Sequence, residues 1–215
     1  MPRPFNLGDE CHYIFPDEIN HQQQQHPLLR GLYVSRAGNF PRNHTFLTVR
    51  PNGFPDSHII VYCTGGRGWF ESQGQKWTIQ AGDVLFVFAD VPHAYSGFED
   101  TPWQIQWAHF YGNEASEFLR LIAVTPNHPV VHIGNQFKIV DQFNAILQLC
   151  QLGYSPYVLI QTAATLRQIL SSIALNRSFT PPNKKGLDVE RTIQFMQENI
   201  AAPLTVKRLA AAANL

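Results

Sequence analysis

The chain has 215 residues, enough for one large domain or one and a half ordinary ones, and apolar residues make up 44% of it, enough for a real core. Sixteen basic residues balance sixteen acidic ones, so the basic excess that counterion release demands of a free-standing nucleic-acid binder is missing. Three cysteines (Cys11, Cys63, Cys150) lie far apart, with no CxxC pair. That excludes a disulfide scaffold or zinc knuckle and fits a reducing compartment.

The opening residues, MPRPFNLGDECHYIF, contain no apolar h-region, so no secretory signal is expected. No apolar run reads as membrane-spanning, and a cytosolic location is expected. Residues 1–30 read as an N-terminal arm. The stretch His21-Gln22-Gln23-Gln24-Gln25-His26-Pro27 is polar and aperiodic, as in a mobile tail or a flap that folds over a ligand.

From 31 to about 133 the pattern is β. Phe46-Leu47-Thr48-Val49 and Ile59-Ile60-Val61-Tyr62-Cys63 are short apolar stretches between turn signals. Trp69-Phe70-Glu71 and Lys76-Trp77-Thr78-Ile79 flank a Gln73-Gly74 hairpin turn. Val84–Phe88 is a continuous β-branched and aromatic run, as expected of a strand buried on both faces, and Trp103–Phe110 is a further strand. Many short strands broken by Gly and Pro predict a sandwich or small barrel.

After Gly134 the rhythm becomes helical. A stripe of Phe137, Val140, Phe143/Asn144, Leu147 and Cys150 marks one helix over 136–152. Leu159, Ala163, Leu166, Leu170 and Ile173 mark a second over 157–176, and Gly153-Tyr154-Ser155-Pro156 is the break between them. Such stripes either pack on the chain's own barrel or form a two-helix dimer interface. The segment 178–186 is a Pro-rich basic linker. A new amphipathic helix begins near Leu187 and ends at Ala201-Ala202-Pro203, and Thr205 then caps the alanine-rich run Val206–Ala213.

Two stretches carry a resemblance. The C-terminal ERTIQFMQENIAAPLTVKRLAAAANL resembles the opening of the helix-turn-helix domain of AraC-family transcription regulators, with "N…PLT" leading into "LA…A". Upstream, Asp56–Gly112 resembles the family's cupin domain through Gly65…Gly68, Gly82-Asp83-Val84, Pro92-His93-Ala94-Tyr95 and Trp107-Ala108-His109-Phe110-Tyr111-Gly112. The resemblance, over roughly 30–215, implies an α+β chain: a cupin-like (double-stranded β-helix or jelly-roll) barrel, a two-helix dimerisation unit and the start of an all-α DNA-binding domain. The implied division is an arm over 1–30, a sensing and dimerisation domain over 31–177 (helices about 136–176), a linker over 178–186, and a helix-turn-helix start over 187–215. It implies that the chain stops inside that last domain, before the recognition helix, so DNA is a partner of the full-length protein only.

In this family the barrel senses a small effector, and Arg50-Pro51-Asn52-Gly53 looks like the strand end that carries a sugar-binding arginine in its arabinose-responsive members. A monosaccharide, arabinose or a relative, is therefore the expected effector, bound by a homodimer that needs no cofactor and performs no catalysis. A sugar needs an aromatic plate and forked donors and acceptors. Trp107 offers the plate, unless it is simply a core indole. Arg50 offers a planar donor set, and Tyr95 a phenol that can stack or donate. His93 either contacts the ligand or braces the loop after Pro92. Strand alternation places Trp103, Ile105, Trp107 and His109 on one face, which brings apolar Ile105 next to the ligand.

Two rivals remain at this level. Metal-dependent cupin enzymes need an HxH pair, a Glu and a later His; His93 fits the last, but the early strand offers only His58. His128 and His132 are spaced like a helical pair, yet Pro129-Val130-Val131 reads as extended chain. The other rival is a ligand-free dimerisation module whose pocket is filled by its own aromatic side chains.

Overall fold

The computed structural model describes residues 5–7, 10–40, 46–55, 57–179, 195–196, 199 and 205–212. Among the described residues, eleven strands form two antiparallel sheets. The larger one contains β1 (Phe5–Leu7), β2 (Glu10–Ile14), β3 (Tyr33–Phe40), β5 (His58–Gly65), β8 (Asp83–Val87), β10 (Gln104–Tyr111) and β11 (Val130–His132), in the order β1-β2-β3-β10-β5-β8-β11. The smaller one contains β4 (Thr48–Arg50), β6 (Arg67–Ser72), β7 (Gln75–Gln80) and β9 (His93–Gly97), in the order β4-β9-β6-β7. The helices among the described residues are α1 (Asp17–Gln25), α2 (Ala115–Ile122), α3 (Phe137–Gln151), α4 (Pro156–Phe179) and α5 (Val206–Ala212). A cupin-like barrel followed by helices is thus the architecture, α+β as the sequence implies.

The large sheet is covered on both faces, which is why its strands lack polar alternation. On β5, β8 and β10, Ile60, Tyr62, Val84, Phe86, Ala108 and Phe110 join the core shared with the helices. Their alternate neighbours Ile59, Val61, Leu85, Val87 and Ile105 point the other way, toward the small sheet. Val84–Val87 is buried throughout. The Gln73-Gly74 hairpin forms as read, joining β6 to β7 with φ of 51° and 74° at its two central residues. A two-residue loop with positive φ at both positions matches the right-handed twist of the strands.

Several elements differ from the sequence reading. The arm is built into the fold. β2 pairs with β3 from Cys11↔Asn39 to Ile14↔Arg36, and Tyr13 and Phe15 are core residues. The Gln-rich run forms α1; its one buried glutamine, Gln23, donates through Nε2 to the Val34 carbonyl at 3.1 Å. A hydrogen bond, not an apolar stripe, holds that helix down, so hydrophobic periodicity gives no signal. Helix α2 interrupts the stretch read as β, burying Ala115, Leu119 and Ile122 at spacings of four and three. Phe46 and Leu47 precede β4 and are exposed, so only Thr48–Arg50 of that stretch is a strand.

Helices α3 and α4 meet at the expected Gly153–Pro156 break. On α3 the buried set is Ile139, Gln142, Phe143, Ile146, Leu147 and Cys150. Phe137 is 38% exposed, so the true stripe is rotated from the one read. On α4, Leu159, Ala163, Leu166, Leu170 and Ile173 are all buried. This helix is long and apolar enough to cross a membrane by length and composition, contrary to the sequence reading. Half of that stretch is buried inside the fold, packed with α3 and β3, which is how a core helix passes the same test.

Helix α4 runs through Ser178 and Phe179, where the linker was expected to start; the rest of that linker, 180–186, and most of the helix expected from Leu187 lie outside the described residues. Thr205 does cap α5, its Oγ1 accepting the Arg208 N–H at 3.3 Å.

Candidate functional site

A cavity of about 240 Å³ opens between the two sheets. The small sheet contributes Thr48 and Arg50 from β4 and His93 and Tyr95 from β9. Because β4 and β9 are paired with Thr48 opposite Tyr95 and Arg50 opposite His93, and alternate residues share a face, these four side chains emerge together. From the large sheet come Trp107 and His109 on β10, Arg36 on β3, and His12 and Ile14 on β2. The floor is apolar, made by Ile59, Val61, Leu85, Val87 and Ile105. All four residues singled out in the sequence, Arg50, His93, Tyr95 and Trp107, therefore line one cavity, and Ile105 lies beside Trp107 on the same strand face.

The aromatic groups are ordered against one another. His93 and Tyr95 stack with ring centroids 6.0 Å apart and planes at 6°, and Tyr95 leans on Trp103 at 5.9 Å. Across the cavity, Trp107 touches Phe40 at 5.9 Å, His12 at 6.3 Å and His109 edge-on at 5.6 Å. Gly38 makes room for this indole: a Cβ there would lie 2.5 Å from Trp107 Cζ2 and 2.8 Å from the Cys11 carbonyl oxygen. Trp107 is thus a wall of the cavity, set by the backbone behind it.

Polar atoms in this wall have work left to do. His93 Nδ1 is 2.8 Å from the Val91 carbonyl, which fixes the ring as a brace for the loop after Pro92, yet its Nε2 is buried without a partner, as are Trp103 Nε1 and Trp107 Nε1. His93 thus braces the loop through Nδ1 and lines the cavity. His109 Nδ1 shares a hydrogen bond with Ser57 Oγ at 3.1 Å. Burial, then the charges of Arg36, His93 and Arg50, push the His109 imidazole down to about 3. Burial likewise lowers His93, with Arg50 adding to it, so both rings are neutral near pH 7. Burial raises the Tyr95 phenol, opposed by a hydrogen bond with Thr48. Arg50 itself is exposed at the mouth, with only a 3.5 Å contact to the Val49 carbonyl. Arg36 lays its guanidinium over Phe54 at 4.6 Å.

Sequence reasoning missed Arg36 and His12. Arg36 shares the cavity face of β3 with Phe40, two pleats along, a weak signal in so mixed a strand as YVSRAGNF. The arm residue His12 gave none. The histidines weighed as metal ligands do not converge. His58 lies outside the cavity lining, against Phe88 and Phe110, and accepts the Ala89 N–H. His132, in β11, sits 2.8 Å from Asp83 through Nδ1. Among the described residues, no three His, Cys, Asp or Glu side chains are grouped to hold a metal ion.

A family model described as the AraC-like ligand binding domain matches residues 39–181. The chain belongs to that family. One curated relative, the MmsAB operon regulatory protein of Pseudomonas aeruginosa, is 30% identical over 212 residues, which is 97% of this chain and 67% of that protein. The lactose operon transcription activator of Staphylococcus xylosus is 20% identical over 164 residues, 73% of this chain and 57% of that protein. Among solved structures, the AraC-like transcriptional activator CuxR aligns with 99% of this chain and 69% of its own, at 13% identity and a TM-score of 0.38. The cavity lies within the span that the AraC-like ligand binding domain covers, apart from Arg36 and the two β2 residues.

Proposed function

We propose that this chain is the effector-sensing part of an AraC-type transcription regulator. A monosaccharide, arabinose or a relative, enters the barrel cavity and is contacted by Arg50, His93, Tyr95 and Trp107. The observation that carries this reading is the convergence of those four side chains on one small cavity with an aromatic wall. Its volume of about 240 Å³ falls below the roughly 300–1,000 Å³ of drug-sized sites, which favours a single ring over anything larger. Both relatives are named as regulators of operons, and the rival readings, a metal-dependent enzyme or a ligand-free dimerisation module whose pocket is filled by its own side chains, have no comparable support.

Ligand occupancy would act by population shift. The cavity is partly walled by β2, through His12 and Ile14, so an effector touching that strand biases how the N-terminal segment sits on the barrel. In the full-length protein this would change how a homodimer presents DNA-binding domains that begin near residue 187, beyond a linker that follows α4. His12→Ala is expected to weaken effector binding several-fold while leaving the folded state intact; equal affinity in calorimetry would remove the N-terminal strand from the switch. Deleting residues 1–25 is a poorer probe, because it also removes core residues Tyr13 and Phe15.

The direct test is a thermal-shift and calorimetry screen of pentoses and hexoses. An effector at one hundred times its Kd stabilises the fold by about 2.7 kcal/mol. Trp107→Ala removes an aromatic contact worth roughly 0.5–1.5 kcal/mol, so affinity is expected to drop by up to about tenfold. A Trp107→Ala protein with undiminished affinity would refute the stacking role.

A further inference from the structure

Taking the cavity as the effector site described above, we propose that its effector is an anion: a hydroxy acid or sugar acid of monosaccharide size whose carboxylate is held by Arg36 and Arg50. Two arginines and three histidines (His12, His93, His109) line the cavity, and among the described residues no Asp, Glu, Asn or Gln does. That donor set is lopsided. A neutral sugar presents hydroxyls, each of which donates as well as accepts, and proteins meet the donated protons chiefly with carboxylates and side-chain amides. Here the side-chain acceptors are limited to Thr48, Tyr95 and imidazole nitrogens.

A carboxylate accepts only, and a forked guanidinium is its best-matched partner. Among the described residues neither arginine forms an ion pair: Arg36 rests on the Phe54 ring and Arg50 reaches only a backbone carbonyl. After burial, both arginines push the imidazole of His109 toward its neutral form. A carboxylate bound in the cavity offers the two guanidinium groups an acceptor, while its carbon skeleton lies on the apolar floor of Ile59, Val61, Leu85, Val87 and Ile105.

The experiment is calorimetry on the chain with matched pairs: arabinose and arabinonate, glucose and gluconate, galactose and galacturonate, glycerol and glycerate. The acid of at least one pair is expected to bind at least tenfold tighter than its neutral partner, with an advantage that shrinks as salt rises. Arg50→Gln alters an exposed side chain and leaves folding undisturbed, so it carries the test if Arg36→Gln fails to fold; each is expected to cut the preference for the acid at least threefold. Neutral sugars binding as tightly as their acids would overturn the anion proposal and leave the effector site standing. An acid preference that survives both substitutions would overturn it as well. Absence of binding by every member of every pair at millimolar concentration would defeat the effector-site reading and this proposal together.

Discussion

Lowering the pH from 7 to 5 is expected to cost the folded chain on the order of 2 kcal/mol through His109 alone. The ring is buried edge-on against Trp107 and Phe54, and burial together with Arg36, His93 and Arg50 holds it down to about 3. In the unfolded chain the same imidazole titrates near 6.5. Between those two values the unfolded state binds a proton that the folded state refuses. Stability therefore rises with pH across that window. His109 contributes in full above about 6.5 and loses up to about 1.4 kcal/mol per pH unit as the pH falls toward 3. Burial also lowers His93 and His58, so the acid limb is steeper than one group would make it. Urea unfolding at intervals from pH 7.5 to 5 measures the slope. His109→Asn, which keeps a partner for Ser57, is expected to flatten it, and an unchanged acid slope in that variant would rule out His109 as the cause.

The same histidine shows what the sequence could and could not convey. Alternation along Trp103–His109 placed His109 on the cavity face, because a strand's period of two is exact. The register that brings β4 against β9, and so Arg50 against His93, is a pairing between segments forty residues apart; no local pattern encodes it, and the family resemblance supplied those two residues. Arg36 was not legible for the same reason. Its neighbours His109 on β10 and Ile14 on β2 are set by pairings with segments on either side of it in sequence, and an arginine in a strand reads as solvated until its partners are known. Gly38 is a related case. The sequence shows only a glycine in a strand, which weakens a strand reading, whereas the fold uses its missing side chain to seat the Trp107 ring against β2. The helices were easier where apolar periodicity carried them, as on α4, and failed where a buried glutamine did the anchoring, as on α1.

Leu166→Ala is expected to destabilise the chain by about 2–5 kcal/mol, and it resolves the two roles that a helical stripe leaves open. Leu166, Ile169, Leu170 and Ile173 have no exposed surface, and the buried hydroxyls just before them are satisfied within the helix, Thr162 and Thr165 donating to the Val158 and Gln161 carbonyls at 2.8 and 2.9 Å. This face of α4 is therefore committed to the barrel within one chain, and its truncation opens a cavity whether or not a second copy is present. With total stabilities of about 5–15 kcal/mol, such a loss consumes a large share of the folding free energy. The opposite face behaves differently. Tyr157 and Leu175 are 85% and 59% exposed, so Leu175→Ala should change unfolding of the dilute chain by no more than about 0.5 kcal/mol. If the proposed homodimer forms through α4, Tyr157→Ala and Leu175→Ala will shift sedimentation toward monomer without that loss of stability. A dimer indifferent to both places the contact elsewhere, and the exposed Leu152 at the end of α3 is then the residue to change next. A small stability cost for Leu166→Ala would mean that α4 does not pack on the barrel as described, and the division of labour between its two faces would fall with it.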